Sequence, residues 1–211
     1  MCGLAGIVGE VDLMEQVLLH MSAAQNHRGK ETPNSWVSSF IDARVGLMHN
    51  RMKTIDMAVA PKQPFEDNDT GLVVMLDGEI FNYEDVRRQL ENYYSFTTRG
   101  MCEVITKAYD RWGDGCFDRF EGYFSIVIYN RWSEELLLCR DRFGIKPLYY
   151  ATQRGNLFFA SEIKALFAGG IRSLLSAERW ASYLAYSTYG CPYETFWEGV
   201  HQLPAGFLLH Y

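Results

Sequence analysis

The second residue of the chain is a cysteine, and its place at the start of the sequence allows a particular chemistry. Once Met1 is removed, Cys2 carries a thiol and a free α-amine, and such an amine can act as the base that activates the side chain. The apolar, glycine-containing run at residues 3–9 predicts a buried first strand that would fix the terminus. The competing interpretation is an ordinary first strand that a cysteine happens to precede.

Two further places in the sequence carry groups suited to binding a substrate. Arg51 ends a predicted strand, and its planar guanidinium can hold a carboxylate through two hydrogen bonds. Asp77 and Gly78 follow a continuous apolar run, where the backbone could present an N–H group to a reacting carbonyl. A plainer alternative stays open for each: a surface or ion-paired arginine, and an ordinary turn.

The segment from Arg140 to Tyr150 crowds charged residues around a glycine and a proline between two predicted strands. A simple hairpin would need only two turn residues there, so we predict a charge-braced loop packed near the protein interior. Gly3, Gly6 and Gly9 do not have the spacing of a dinucleotide-binding fingerprint, and no phosphate loop with Gly-Lys-Ser/Thr occurs. The sequence therefore gives no support for ATP binding by this chain.

Composition places the chain among globular proteins and sets aside several classes of function. Its 211 residues are 48% hydrophobic and 15% aromatic, which is ample for a substantial core. A net charge of −6 argues against nucleic acid or an anionic membrane as the principal partner. The five cysteines contain no Cys-x-x-Cys pair and the five histidines no metal-binding spacing, so neither disulfides nor a metal site is predicted. Residues 3–9 are too short for a membrane span or a signal-peptide core, and a reducing cytoplasm is the default.

Hydrophobic periodicity predicts many strands interleaved with a few helices. The pattern alone does not choose between an α/β and an α+β sandwich. Strands are expected at 3–9, 36–40, 45–49, 72–76, 123–129, 135–140, 148–151, 157–160 and 206–211, and helices at about 13–26, 83–92, 102–111, 163–167 and 177–186. The strand at 72–76 is expected to end in a turn at Asp77-Gly78-Glu79.

Seven segments, in the same order along the chain, resemble the N-terminal glutaminase domain of glutamine-hydrolysing asparagine synthetase, a class II amidotransferase of the N-terminal-nucleophile type. Each segment is weak evidence alone, and the order makes the resemblance specific. The segments are Met1-Cys2-Gly3 with Gly6-Ile7-Val8, His27-Arg28-Gly29, Arg51 to Asp56, Asp77 to Asn82, Cys102-Glu103-Val104, Arg140 to Tyr150, and Ala160 to Leu166.

The resemblance implies an α+β fold, a four-layer αββα sandwich with two stacked, mainly antiparallel sheets between helical layers. Residues 1–211 would form one amidotransferase domain, with residues from about 170 leading toward a C-terminal synthetase domain outside this chain. Cys2 would attack the side-chain amide of glutamine and release ammonia through a thioester. The remaining roles implied are Arg51 and the backbone to Ile55 for the substrate carboxylate, Asp77 and Gly78 for the oxyanion, and Glu79 for the substrate amine.

The sequence departs from the family pattern at two positions of chemical importance. The family has an asparagine where this chain has Asp77, and only a protonated acid could donate a hydrogen bond to an oxyanion there. Losing one such donor typically lowers the rate by about 10²–10³. The family has an aspartate where this chain has Met101, and methionine cannot accept a hydrogen bond from the α-ammonium of glutamine, a bond of about 1.5–3 kcal/mol.

Three hypotheses follow from the resemblance and the departures. The first is a working glutaminase domain of an asparagine synthetase-like amidotransferase, which passes ammonia to an acceptor such as activated aspartate. The second is a degenerate domain, altered at Asp77 and Met101, that serves as structural partner of an ammonia-dependent synthetase. The third is an N-terminal-nucleophile amidase for a different amide, one without an α-ammonium, in which Met101 forms an apolar pocket wall.

The resemblance also sets expectations for cofactors and partners. The domain itself would need no cofactor and no metal, whereas ATP and magnesium would belong to the synthetase domain. Expected partners are glutamine and an ammonia-accepting synthetase domain or subunit, with no nucleic acid and no membrane, and the resemblance allows a homodimer. Asparagine biosynthesis in the cytoplasm, by a ligase of this type, is the expected setting.

Overall fold

The computed structural model describes residues 2–30, 33–39, 44–52, 62–188 and 193–211. Eleven strands and five α-helices lie in this part of the chain. The strands are β1 Gly3–Val8, β2 Asn34–Ser39, β3 Arg44–Asn50, β4 Phe65–Asp67, β5 Leu72–Ile80, β6 Gly122–Asn130, β7 Glu135–Arg140, β8 Tyr149–Gln153, β9 Asn156–Ala160, β10 Val200–Gln202 and β11 Leu208–His210. The helices are α1 Met14–Ala24, α2 Tyr83–Leu90, α3 Met101–Trp112, α4 Ile163–Ala168 and α5 Ala177–Tyr186.

The strands form two antiparallel sheets that pack face to face. One sheet has six strands in the order β10-β8-β9-β1-β3-β2, and the other has five in the order β11-β7-β6-β5-β4. Helices α1 and α4 cover the outer face of the first sheet, whereas α2 and α3 cover the outer face of the second. The fold is therefore α+β, a four-layer αββα sandwich, as the resemblance implied.

Strand β5 shows why the sandwich needs continuous apolar runs. Val73 and Met75 point into the core between the two sheets, together with Leu4 of β1. Leu72 and Val74 point the other way, into the core beneath α2 and α3. Since successive side chains of a strand face opposite sides, a strand covered on both faces has to be apolar throughout. The predicted burial of residues 72–76 on both faces is confirmed.

The predicted turn at Asp77-Gly78-Glu79 is wrong. Strand β5 continues to Ile80 and pairs with β6 without interruption, Asp77 opposite Ser125 and Gly78 opposite Phe124. The sequence Asp-Gly is typical of turns because glycine adopts positive φ, and Gly78 does have a φ of 143°. Here that conformation serves close strand contact, because a Cβ on Gly78 would lie 2.1 Å from the carbonyl oxygen of Tyr123.

The last part of the chain completes both sheets. Strand β10 pairs with β8 at the edge of the six-stranded sheet, and β11 pairs with β7 at the edge of the five-stranded sheet. Helix α5, which precedes these strands, has no buried residue. In the described part of the chain, no helix has the length and apolar character that crossing a membrane requires.

Candidate active site

Cys2 is held in place by the strand that follows it. Strand β1 lies inside the six-stranded sheet, hydrogen-bonded to β3 on one side and to β9 on the other. A Cβ on Gly6 would lie 2.1 Å from the ring of Phe159, and one on Gly3 would lie 3.0 Å from the side chain of Gln25. The neighbouring side chains thus pack directly on the β1 backbone. The prediction that a buried strand fixes the terminus is confirmed.

The sandwich brings Cys2 and Asp77 together from opposite sheets. Asp77 continues the row of β5 side chains, Val73 and Met75, that points into the core between the sheets. Cys2 precedes β1 with the same facing as Leu4, which packs in that core. The backbone nitrogen of Cys2, which is the α-amine once Met1 is removed, lies 3.0 Å from Asp77 Oδ1. The two residues are 75 positions apart in the chain.

Two cations share the Asp77 carboxylate with Cys2. Lys146 Nζ donates to Asp77 Oδ1 at 3.0 Å, and Arg28 Nη2 donates to Asp77 Oδ2 at 2.9 Å. Asp77 is only 1% exposed, so its charge depends on these partners in place of water. Both carboxylate oxygens act as acceptors in this arrangement. An oxyanion role for Asp77 stays a prediction, because that role needs a hydrogen-bond donor and here both oxygens accept.

Arg28 also contacts Cys2 directly, at the backbone carbonyl group of the cysteine. Its Nε donates to the Cys2 carbonyl oxygen at 2.9 Å, and its Nη1 donates to Glu162 at 3.2 Å. Burial opposes ionisation of Glu162, but hydrogen bonds from Lys164, Arg28 and His27 lower its pKa below the ordinary value. The arginine therefore links a buried carboxylate of the site to a second carboxylate nearer the surface.

Lys146 is carried by the segment from Arg140 to Tyr150, which is braced as predicted. Arg140 donates to the carbonyl oxygens of Lys146, Gly144 and Leu203 at 2.6–2.7 Å. Asp141 accepts from the backbone N–H groups of Phe143, Ile145 and Lys146 at 3.0–3.1 Å. Each buried charge thus fixes several backbone groups of the loop. These hydrogen bonds hold the loop in a conformation in which Lys146 contacts Asp77 next to Cys2.

The surroundings of the Cys2 thiol act on its ionisation in opposite directions. Burial raises the pKa of the Cys2 thiol above its ordinary value, and the Asp77 charge adds to this effect. A hydrogen bond from the Met52 backbone and the charge of Lys146 lower the pKa. Since the thiolate is the nucleophilic form, these groups help to determine how much of the residue can react.

The remaining site residues predicted from the sequence are placed as follows. Arg51 follows β3, and its backbone packs against Gly29, where a Cβ would lie 2.5 Å from the Arg51 carbonyl. Glu79 is exposed at the end of β5 and accepts a hydrogen bond from the Tyr123 hydroxyl at 3.2 Å. Met101 begins α3 and packs, half-buried, on the core beneath that helix. Ile55 lies outside the described residues.

The loop that leads to Met101 is organised by Glu103 in the first turn of α3. Its carboxylate accepts from the backbone N–H groups of Thr97 and Thr98 at 2.7 and 2.6 Å and from both threonine hydroxyls. Burial opposes ionisation, but these hydrogen bonds lower the pKa of Glu103. Glu103 lies in the Cys102-Glu103-Val104 segment that resembles the family, and no role was predicted for it from the sequence. It holds the loop before Met101 in one conformation.

His49 is a buried histidine whose side chain points between the sheets toward Asp77. It is 1% exposed, and the Leu76 backbone lies near its ring, although neither ring nitrogen meets the geometry of a full hydrogen bond with a described residue. Burial lowers the pKa of His49 to about 4, against an ordinary 6.5, although the Leu76 backbone and the Asp77 charge oppose the shift. The imidazole is therefore neutral at physiological pH.

This histidine predicts a specific loss of stability in mild acid. Between pH 6.5 and 4 the unfolded chain binds a proton at His49 that the folded chain does not, so stability falls as the pH falls. From pH 7 to 4.5 the expected contribution is about 2–3 kcal/mol. Urea unfolding of the native chain and of His49→Leu at the two pH values measures it. The variant should lack this part of the acid sensitivity, and equal pH dependence in both proteins would refute the assignment.

Comparison with known proteins places this geometry in a family. The fold matches that of glutamine phosphoribosylpyrophosphate amidotransferase from Bacillus subtilis, with a TM-score of 0.64 at 20% identity over 80% of this chain and 44% of that one. A family model described as a glutamine amidotransferase domain matches residues 1–211. The chain belongs to the glutamine amidotransferase domain family.

Two relatives show which members of the family the chain is similar to. Asparagine synthetase [glutamine-hydrolyzing] 2 of Bacillus subtilis is 40% identical over 173 residues, which is 80% of this chain and 22% of that protein. The protein named amidase chry2 of Gibberella zeae is 32% identical over 87% of this chain and 26% of its own length. This chain thus spans about a quarter of the length of these two relatives. Its similarity to glutamine-hydrolysing asparagine synthetases confirms the resemblance that the seven segments indicated.

Proposed function

We propose that this domain hydrolyses glutamine with Cys2 as the nucleophile. After removal of Met1, Cys2 Sγ attacks the side-chain carboxamide carbon, and a bond between sulfur and carbon forms. The bond between carbon and nitrogen then breaks, and the nitrogen leaves as ammonia with the proton that the thiol gave up. Water hydrolyses the thioester, which yields glutamate and restores the thiol.

The observation that carries this proposal is the way in which Cys2 is held. Its nitrogen lies against Asp77 Oδ1 and its carbonyl oxygen against Arg28 Nε, so both ends of the residue are fixed. The Met52 backbone donates toward the sulfur. An N-terminal nucleophile requires a thiol and an amine in a defined arrangement, and contacts that fix the Cys2 backbone support this proposal.

The other predicted residues take roles around this nucleophile. Arg51 and the backbone toward Ile55 bind the substrate carboxylate, and Glu79 binds the α-ammonium. Gly78 provides a backbone N–H to the oxyanion of the tetrahedral intermediate. This last role fits the position of Gly78 directly after Asp77 in β5.

The relatives support a proposal for the fate of the ammonia. An asparagine synthetase of Bacillus subtilis is among the similar proteins, and we propose an acceptor such as activated aspartate, on a synthetase domain or subunit that uses ATP and magnesium. Cytoplasmic location, a homodimer, and the absence of nucleic-acid and membrane partners belong to the same proposal. Residues from about 170 would lead toward that synthetase domain.

Met101 favours a second candidate, hydrolysis of an amide that has no α-ammonium. The methionine stands where the family places the carboxylate that receives this charge, and its half-buried side chain packs on an apolar core. A relative named as an amidase is 32% identical to the chain. In this alternative the same nucleophile acts on a different carboxamide.

The experiment that tests the proposal compares native protein, Met101→Asp and the neutral control Met101→Asn. Glutamine hydrolysis should be present in the native protein, and Met101→Asp should lower KM for glutamine about 10-fold or more, because a charged hydrogen bond is restored. Met101→Asn should have a much smaller effect. Faster native turnover of glutaramate, which lacks the α-amine, would favour the amidase, and no turnover of either amide by folded protein would contradict both candidates.

A further inference from the structure

Asp77 poses an electrostatic problem for any acyl-transfer reaction at Cys2. A carboxylate at 3.0 Å from the Cys2 nitrogen is close to the place where the thiolate and then the oxyanion must carry negative charge. Like charges at short range in a buried site oppose one another strongly. A working site therefore needs a cation that offsets Asp77.

Of the two cations that contact Asp77, Lys146 is the one dedicated to it. Arg28 divides its guanidinium between Asp77 and Glu162. Within the described residues Lys146 forms an ion pair with Asp77, and its Nζ lies 5.3 Å from the centre of the Tyr123 ring. The Lys146 side chain is 8% exposed, so water screens its charge weakly.

The backbone of Lys146 is fixed on both sides. Its N–H donates to Asp141 Oδ2 at 3.0 Å, and its carbonyl oxygen accepts from Arg140 Nε at 2.6 Å. A charge held in this way needs no reorganisation when negative charge develops next to it, which is the condition for effective electrostatic stabilisation. The loop thus presents a preorganised ammonium to the Cys2 site.

We propose that Lys146 is a positioning residue of the Cys2 site, whose ammonium offsets the Asp77 carboxylate and stabilises negative charge at the Cys2 sulfur and at the oxyanion. The inference rests on the proposed function and deepens it. It explains how the site keeps an aspartate where its family has an asparagine donor. Asp77 and Lys146 then form a buried ion pair, in which each charge offsets the energetic cost of burying the other.

Direct measurement of thiol ionisation tests this without relying on turnover. The rate of Cys2 alkylation by iodoacetamide, a neutral probe, is followed against pH by mass spectrometry of the N-terminal peptide. Besides the α-amine, the charged or titratable groups near the Cys2 thiol are Asp77 on β5, Lys146 in the braced loop, Arg28 after α1, Cys102 on α3, His49 on β3 and Arg51 after it. Lys146→Met removes one partner of Asp77, whereas Asp77→Asn also alters the contacts with Arg28 and the Cys2 nitrogen.

Lys146→Met should move the midpoint of alkylation to higher pH, because the sulfur loses a nearby cation. Asp77→Asn should move it to lower pH, and Lys164→Met, which removes an exposed lysine of the Glu162 cluster, should leave it unchanged. In the hydrolysis assay Lys146→Met should lower kcat/KM about 100-fold. An unchanged midpoint in folded Lys146→Met would overturn the proposal.

A second comparison covers the case in which Lys146→Met does not fold. Asp77→Asn/Lys146→Met removes both charges together, and replacing both partners of a pair is far less destabilising than removing one. Its midpoint should lie above that of Asp77→Asn alone, and equal midpoints would overturn the role of Lys146. If alkylation responds as expected but no variant hydrolyses glutamine, the electrostatic role of Lys146 stands and the proposed function fails.

Discussion

Cys2→Ala is expected to lower glutamine hydrolysis by about 10⁴-fold or more, since loss of a nucleophile removes the covalent route altogether. The effect on folding should be small. The contacts that fix this residue are made by its backbone nitrogen and carbonyl oxygen, which alanine keeps. Ammonia release in a coupled assay and thermal unfolding of the same samples measure the two effects.

Cys2→Ser serves as the matched variant for this prediction, because it keeps a side chain of similar size and a weaker nucleophile. It should retain the fold and lose nearly all turnover. Cys102, a buried residue of α3 whose pKa burial raises to about 12, is the natural comparison thiol. Loss of activity in Cys102→Ala together with full activity in Cys2→Ala would contradict the assignment of the nucleophile.

Gly78→Ala is expected to have the second large effect, on both stability and activity. The new Cβ would lie 2.1 Å from the Tyr123 carbonyl oxygen, and the φ of 143° is unfavourable for any side chain. Backbone strain of this kind costs about 1–3 kcal/mol, and displacement of the N–H from the oxyanion should lower kcat about 10²-fold or more. Urea unfolding and steady-state kinetics report the two losses.

Gly115→Ala is the control for this substitution. Gly115 lies in a 3-10 helix at Gly113–Arg119, and a Cβ there would have nothing within 4 Å. The variant should unfold and turn over like the native protein. If Gly78→Ala were equally silent, neither the close contact between β5 and β6 nor the oxyanion role of Gly78 could be maintained.

Sequence-based prediction worked best for features that depend on a few neighbouring residues. A cysteine directly after Met1 suggests a nucleophile from the sequence alone, because one residue then carries both a thiol and an α-amine, and this role stays a prediction. The buried strand at 72–76 could be predicted because strands covered on both faces are apolar without interruption. The end of β5 could not, because Asp77-Gly78 has the composition of a turn, and only its pairing with β6 shows why the strand continues.

The partners of Asp77 were beyond local reasoning. Arg28 is 49 positions away and Lys146 is 69 positions away, in segments that looked like loops with charged residues. The density of charges between Arg140 and Tyr150 did predict a braced loop, but not the carboxylate that its lysine would meet. That contact depends on how the two sheets stack, and periodicity within single strands does not determine the stacking.

Covalent labelling of Cys2 by a substrate-like electrophile is the sharpest test of whether this residue is the nucleophile of an amide-hydrolysing site. Native protein is treated with an electrophile that mimics glutamine, with and without glutamine, and the labelled position is read by peptide mass spectrometry. We expect one adduct, on Cys2 of a chain without Met1, with a labelling rate that glutamine lowers. An adduct on any other cysteine, or a rate that glutamine leaves unchanged, would contradict it.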